Sequence, residues 1–221
     1  MRDERIEVDG IPGRLHAPDG ATGLLLLGHG GARSKDSGRF VDLSRTYAER
    51  TGLAVVCIDA VDHGERAPAN GEPGLPARWH SSATEQMVAD WHTTADALAS
   101  IGPPVAYVGF SMGSIFGAPT VASMPSIAAA VFVVGGIPTG MGIDDPPLRG
   151  RLLDAAAALT NPQVLMVNLT HDDIFAVEDV HELFDAVPGR RKRLMFWAGE
   201  HDEWPEEAID HSVAFIVEHT A

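Results

Sequence analysis

The chain has 221 residues, of which 45% are hydrophobic and 21% charged; that balance belongs to a globular protein, and the length suits one α/β domain over residues 1–221. A formal charge of −15 argues against nucleic acid or an anionic membrane as partner, because a phosphate-binding face needs clustered Lys and Arg; the one dense basic run, RRKR at 190–193, reads as a solvated loop. Apolar runs such as GLLLLG and IAAAVFVVGG are too short to cross a bilayer, so a cytoplasmic protein is expected, and the single Cys57, in LAVVCID, reads as a small core residue without a disulfide partner.

In chain order, the first seventeen residues read as two short strands around a Gly and Pro turn. Compact apolar runs follow at 23–28, 53–59, 104–110, 127–135, 163–169 and 192–199. Strands that are apolar throughout suit a parallel sheet covered on both faces. Helical spacing lies between them. Phe40, Leu43 and Tyr47 precede a stop at Gly52. Ser82 and Glu85 have capping-box spacing ahead of a stripe of Val88, Trp91, Ala95 and Leu98. A third stripe holds Val180, Leu183, Phe184 and Val187, and a last helix from about Pro205 carries Ile209, Val213, Ile216 and Val217. The alternation predicts an α/β fold with a mainly parallel sheet and helices on both faces. Two Gly and Pro rich stretches, 65–80 and 135–150, read as long loops after strands, where open α/β sheets bind ligands.

GFSMG at 109–113 sits between an apolar run and a helical stretch. In that setting G-x-S-x-G is a tight turn that projects the serine hydroxyl, with flanking glycines letting strand and helix backbones approach. Pro119, six residues further on, is expected to kink or shorten the helix. A serine is a weak nucleophile without a base, and the base needs an orienting carboxylate. Ser111 is the candidate nucleophile, His201 in AGEHDEWP the candidate base, and Asp172 or Asp173 in THDDIFAVE the candidate acid. Acyl transfer also needs backbone N–H groups aimed at the developing oxyanion. Met112 supplies one, and Gly31, in the glycine-rich loop LLLLGHGGARS, is the expected second.

Together GHGG, DAVDHGER, GFSMG, HDDIFAVE and GEHDEWPEEA, in this order across residues 20–220, resemble the successive signatures of the α/β-hydrolase superfamily. The short chain and DAVDHGER are most similar to small cap-less esterases of the dienelactone-hydrolase-like and acyl-peptidase-like groups. True dienelactone hydrolases use a cysteine nucleophile, and the serine departs from them. Relatives often read D-x-I-V-P after the acid-bearing strand, so the resemblance gives Asp172 the catalytic place. It implies an α/β-hydrolase fold with cap absent or minimal, since only 28 residues, 135–162, separate the strands where caps insert. It further implies a serine hydrolase acting on an ester, thioester or lactone of a small-molecule acyl substrate, with no cofactor.

Other residues read as structural or as alternatives. His29 and His63 fix loops, and His211, inside the last helix, is the alternative base. THDD and EHDE lack His pairs at i, i+4 or another familiar ligand spacing, so no metal is expected. Trp79, Met141, Phe175 and Trp204 either line an acyl pocket or pack the core. The same triad serves acyl transfer or amide hydrolysis; a ligand-binding protein with an idle triad is the reading from a different class.

Overall fold

The computed structural model describes residues 1–68, 81–141 and 146–220. The chain opens with the hairpin strands β1 (Arg2–Val8) and β2 (Ile11–Ala17). The apolar runs then form β3 (Leu24–Gly28), β4 (Ala54–Ile58), β5 (Pro104–Phe110), β6 (Ala129–Val133), β7 (Gln163–Leu169) and β8 (Lys192–Trp197). The helices are α1 (Gly38–Thr51), α2 (Ser81–Ala97), α3 (Met112–Ser123), α4 (Pro146–Ala158), α5 (Val177–Ala186) and α6 (Glu206–Thr220). The sheet order is β1-β2-β4-β3-β5-β6-β7-β8, in which β1 and β2 pair antiparallel and β3 to β8 run parallel.

The run of four leucines in β3 shows why these strands lack polar alternation. Leu24 and Leu26 enter the core shared with Trp91, Ile115, Leu152 and Val180, from the helices α2 to α5. Leu25 and Leu27 enter the opposite core, with Phe40 and Tyr47 of α1 and Val213 and Ile216 of α6. Helices cover both faces, so every residue of the strand is buried. Each buried leucine side chain contributes roughly 1.5–3 kcal/mol.

Several local expectations need correction. Helix α4 starts at Pro146, inside the stretch 135–150 expected to be loop. Proline is tolerated in a first helical turn, and the Leu and Ala that follow are strong helix formers. Leu148, Leu152 and Ala156 are buried, so α4 belongs to the outer helix layer and does not form a cap. Pro119 does not shorten α3, which continues to Ser123; the Thr120 hydroxyl donates to the Phe116 carbonyl at 2.8 Å. Ser82 lies inside α2, which already begins at Ser81, and Glu85 pairs instead with Arg151 of α4 at 2.8 Å. The buried stripe of α2 runs through Ala83, Met87, Trp91 and Ala95, leaving Val88 on its flank, and Val217 of α6 is exposed. Within the expected loops, residues 69–80 and 142–145 lie outside the described residues.

The chain passes from β3 outward to β4, then returns to β5 on the other side of β3. The loops after β3 and β5 therefore leave adjacent strand ends in opposite directions, which opens a crevice there. Gly28 and Gly109 are register partners at that point. A Cβ on Gly113 would overlap the carbonyl of Gly28, and one on Gly109 would overlap the carbonyl of Gly113. Backbone therefore packs on backbone where α3 leaves β5. Gly113→Ala is expected to lower the unfolding free energy by about 2 kcal/mol or more in denaturant titration. Gly38→Ala, in open space at the start of α1, should change it by less than about 0.5 kcal/mol.

Candidate active site

Ser111 occupies the turn between β5 and α3 with φ 52° and ψ −114°, a conformation that costs a non-glycine residue about 1–3 kcal/mol. Backbone bonds on both sides hold it there. Its N–H donates to the Val133 carbonyl of β6 at 2.9 Å, and its carbonyl accepts the Ser114 N–H at 2.8 Å. The Ser114 hydroxyl donates back to Gly109 at 2.8 Å, and the Tyr107 hydroxyl donates to the Gly113 carbonyl at 2.7 Å. With the turn so fixed, the Ser111 side chain stands at the C-terminal edge of the sheet, 8% exposed.

Two further loops, after β7 and β8, meet it. The Ser111 Oγ lies 2.9 Å from His201 Nε2, and His201 Nδ1 lies 2.8 Å from Asp172 Oδ2. A carboxylate only accepts, so Nδ1 carries the proton and Nε2 accepts from the serine hydroxyl. The other Asp172 oxygen accepts the N–H groups of Ile174 and Phe175 at 2.8 and 3.0 Å, and its carboxylate is 1% exposed. Asp173, the alternative acid, is exposed and is not the hydrogen-bond partner of His201. His211 is also exposed, its ring 5.7 Å from that of Trp197, and the structure does not bring it to Ser111.

Met112 is the first residue of α3, so its N–H has no acceptor within the helix. Gly31 lies in the loop after β3, beside the β5 end that carries Ser111. His29, at the start of that loop, accepts the Ala60 N–H on Nε2 at 2.9 Å and donates from Nδ1 to the Gly30 carbonyl at 2.8 Å. Burial pushes its pKa down to about 4, so the ring is neutral when folded and acts as loop cement. His63 is buried with Nδ1 2.9 Å from the Val61 carbonyl. Cys57 is fully buried, and burial pushes its thiol pKa up.

Phe175 is buried with its ring 5.7 Å from the His201 ring. Trp204 packs on Phe110 with ring centroids 4.9 Å apart, and the Arg39 guanidinium covers it at 3.3 Å. Arg39 also donates to the Asp202 carbonyl at 3.2 Å, tying α1 to the loop of His201. Trp79 and the side chain of Met141 lie outside the described residues. Sequence reasoning missed a buried charge cluster in which Lys35 contacts Asp59 at 2.9 Å, Glu65 at 2.6 Å and Asp36 at 3.1 Å. Asp59 ending an apolar strand was the available signal. Among the described residues no group of three or more His, Cys, Asp or Glu side chains gathers as a metal site requires, and no helix is long and apolar enough to span a membrane.

A mainly parallel sheet with helices on both faces, and a serine, a histidine and an aspartate on three loops at its C-terminal edge, define an α/β hydrolase of the serine-hydrolase class. The family model described as serine aminopeptidase, S33, matches residues 19–137, and the chain belongs to that family. No curated protein matches in sequence. Among solved structures, a cold-adapted esterase from an Arctic intertidal metagenomic library is 28% identical, with a TM-score of 0.82 over 100% of this chain and 94% of that one. A dienelactone hydrolase from Anabaena variabilis is 19% identical, with a TM-score of 0.75 over 100% and 99%. Est1E from Butyrivibrio proteoclasticus, solved with ferulic acid, is 17% identical, with a TM-score of 0.75 over 98% of each chain. The last two likenesses are of fold.

The neutral, buried His29 makes stability acid-sensitive. Its folded pKa lies below the ordinary histidine value, so the unfolded chain takes up the proton first. The contribution is full above the ordinary value of 6.5 and is lost as pH falls towards about 4. Denaturant titrations at pH 7.5 and 5 should differ by roughly 2 kcal/mol from this residue, and His29→Gln should remove that share of the difference.

Proposed function

We propose that the protein is a serine esterase that hydrolyses a carboxylic ester, thioester or lactone of a small acyl substrate through an acyl-enzyme on Ser111. The observation that carries this reading is the relay from Asp172 through His201 to Ser111, with hydrogen bonds of 2.8 and 2.9 Å. His201 Nε2 takes the hydroxyl proton as Ser111 Oγ bonds to the substrate carbonyl carbon, and the carbonyl electron pair moves onto oxygen. Asp172 keeps Nδ1 protonated and stabilises the imidazolium that forms. The Met112 and Gly31 N–H groups hold the oxyanion. When the carbonyl re-forms, the C–O bond of an ester or lactone, or the C–S bond of a thioester, breaks and the imidazolium gives its proton to the departing oxygen or sulfur. Water repeats the sequence on the acyl-enzyme with His201 again as base, releasing the acid and restoring Ser111.

The esterase at 28% identity, aligned over the whole chain, favours an ester. The description of the family favours a second reading, cleavage of an amide at a peptide N-terminus by the same three residues. Residues 1–221 are taken as one domain, and the packing of α4 in the outer helix layer supports the reading of a site that takes a small or protruding substrate.

Ser111→Ala is expected to lower kcat on p-nitrophenyl acetate by roughly 10⁴-fold or more, and to abolish labelling of the folded protein by a fluorophosphonate. Asp172→Asn should cost roughly 10⁴-fold in kcat, while Asp173→Asn stays within about threefold of the parent. Turnover of an amino-acid p-nitroanilide faster than of the ester would favour the amide reading. A preference for long over short acyl chains would contradict the small-substrate reading.

A further inference from the structure

The cluster around Lys35 is a largely buried charged feature that the proposed chemistry does not use. Lys35 and Asp59 have side chains 2% and 0% exposed. The Lys35 ammonium faces three carboxylates, those of Asp36, Asp59 and Glu65. Burial opposes the lysine charge, yet the hydrogen bonds to Glu65, Asp59 and Asp36 more than offset it and raise the Lys35 pKa above the ordinary value. Such a cluster is a poor route to stability, because desolvating the ions offsets most of their attraction and apolar residues of similar volume often serve as well. It does fix geometry, since each bond is directional and each partner is held in place.

What it fixes is the loop that carries Gly31. Residues 29–35 include Gly30, Gly31 and Ala32, the last with φ 54°, and two adjacent glycines give such a segment little stiffness of its own. Both ends of the loop are tied to consecutive residues at the end of β4. At the first end His29 Nε2 accepts the Ala60 N–H. At the other, the Lys35 N–H donates to Asp59 Oδ1 and Lys35 Nζ to Asp59 Oδ2, both at 2.9 Å. Asp59 is itself clamped, because the Glu65 N–H donates to Oδ2 at 2.9 Å. Gly64, with φ 54°, lets the chain close over the carboxylate, where any Cβ would overlap it.

We infer that Asp59, with Lys35, is a positioning pair that sets the direction of the Gly31 N–H and so tunes stabilisation of the oxyanion. The inference rests on the acyl-transfer reading above and assigns a role within it to charges on two loops that touch no reacting atom. An oxyanion donor is engaged most strongly in the transition state, so misaiming it lowers kcat and leaves ground-state binding nearly unchanged.

The test compares Asp59→Asn and Lys35→Met with the parent, using p-nitrophenyl acetate as substrate and a trifluoromethyl ketone as a tetrahedral analogue. The expected result is a kcat lower by about tenfold to a hundredfold, KM within about twofold, and an inhibition constant for the ketone raised by the same factor as the loss in kcat/KM. Active-site titration with a fluorophosphonate separates this from partial unfolding, which lowers the number of competent sites and leaves the ketone affinity of the remainder intact. If both variants fail to fold, Glu65→Gln takes their place. Its carboxylate is 57% exposed and removes only one partner of Lys35, and a smaller loss with the same proportionality is expected. Unchanged kcat in folded protein, or a loss that follows the number of competent sites alone, overturns the inference. Ser111→Ala is the control: if it keeps the activity, the acyl-transfer reading itself fails, whereas its inactivity beside unaltered ketone affinity in the other variants defeats only the positioning role.

Discussion

The close crossing of three backbones, at the end of β3, the end of β5 and the first turn of α3, is the constraint on which the site depends. Glycines at 28, 109 and 113 permit it, and Cβ atoms at these positions would collide with backbone or with the Tyr107 hydroxyl. The positive φ at Ser111 is sustained by the surrounding bonds to Val133, Ser114 and Gly109. Strain of this kind persists only where neighbours over-determine it. The crossing also puts Ser111 next to the loop after β3, so the serine and the glycine loop come together through strand order and not through any sequence proximity.

The remaining site groups come from loops and are held by polar contacts. Asp172 uses one carboxylate oxygen for the N–H groups of Ile174 and Phe175 and the other for His201. The loop of His201 is tied down by Arg39, which lies over Trp204 and donates to Asp202. His29 and the Lys35 cluster bind the loop after β3 to the end of β4. A rigid sheet thus presents short loops, each fixed by at least one directional bond. That arrangement fixes the side chains of Ser111, His201 and Asp172 relative to one another.

Much of this was legible in the sequence because the fold repeats one rule: an apolar run, then a short loop with chemistry at the strand end. The rule located the strands and brought Ser111, His201 and the Asp172 region into one crevice. Residue spacing did not separate Asp172 from Asp173, since both follow β7 as neighbours in one loop; the turn that orients the first toward His201 is set by its bonds to Ile174 and Phe175. Helix α4 was hidden because its start is Pro-rich, and proline signals a loop unless it falls in a first helical turn. The pairing of Lys35 with Asp59 joins residues 24 apart through two loops, and that kind of contact leaves no periodic trace.

In the proposed reaction the acyl group passes through Ser111. Rapid quenching of the protein with p-nitrophenyl acetate, followed by intact mass measurement and peptide mapping, tests it most directly. The expected result is one acetyl group per chain, on the peptide that contains Ser111, disappearing with further incubation and absent from Ser111→Ala. Turnover with no acetylated protein under quench, or acetylation on another residue at the rate of turnover, would contradict it.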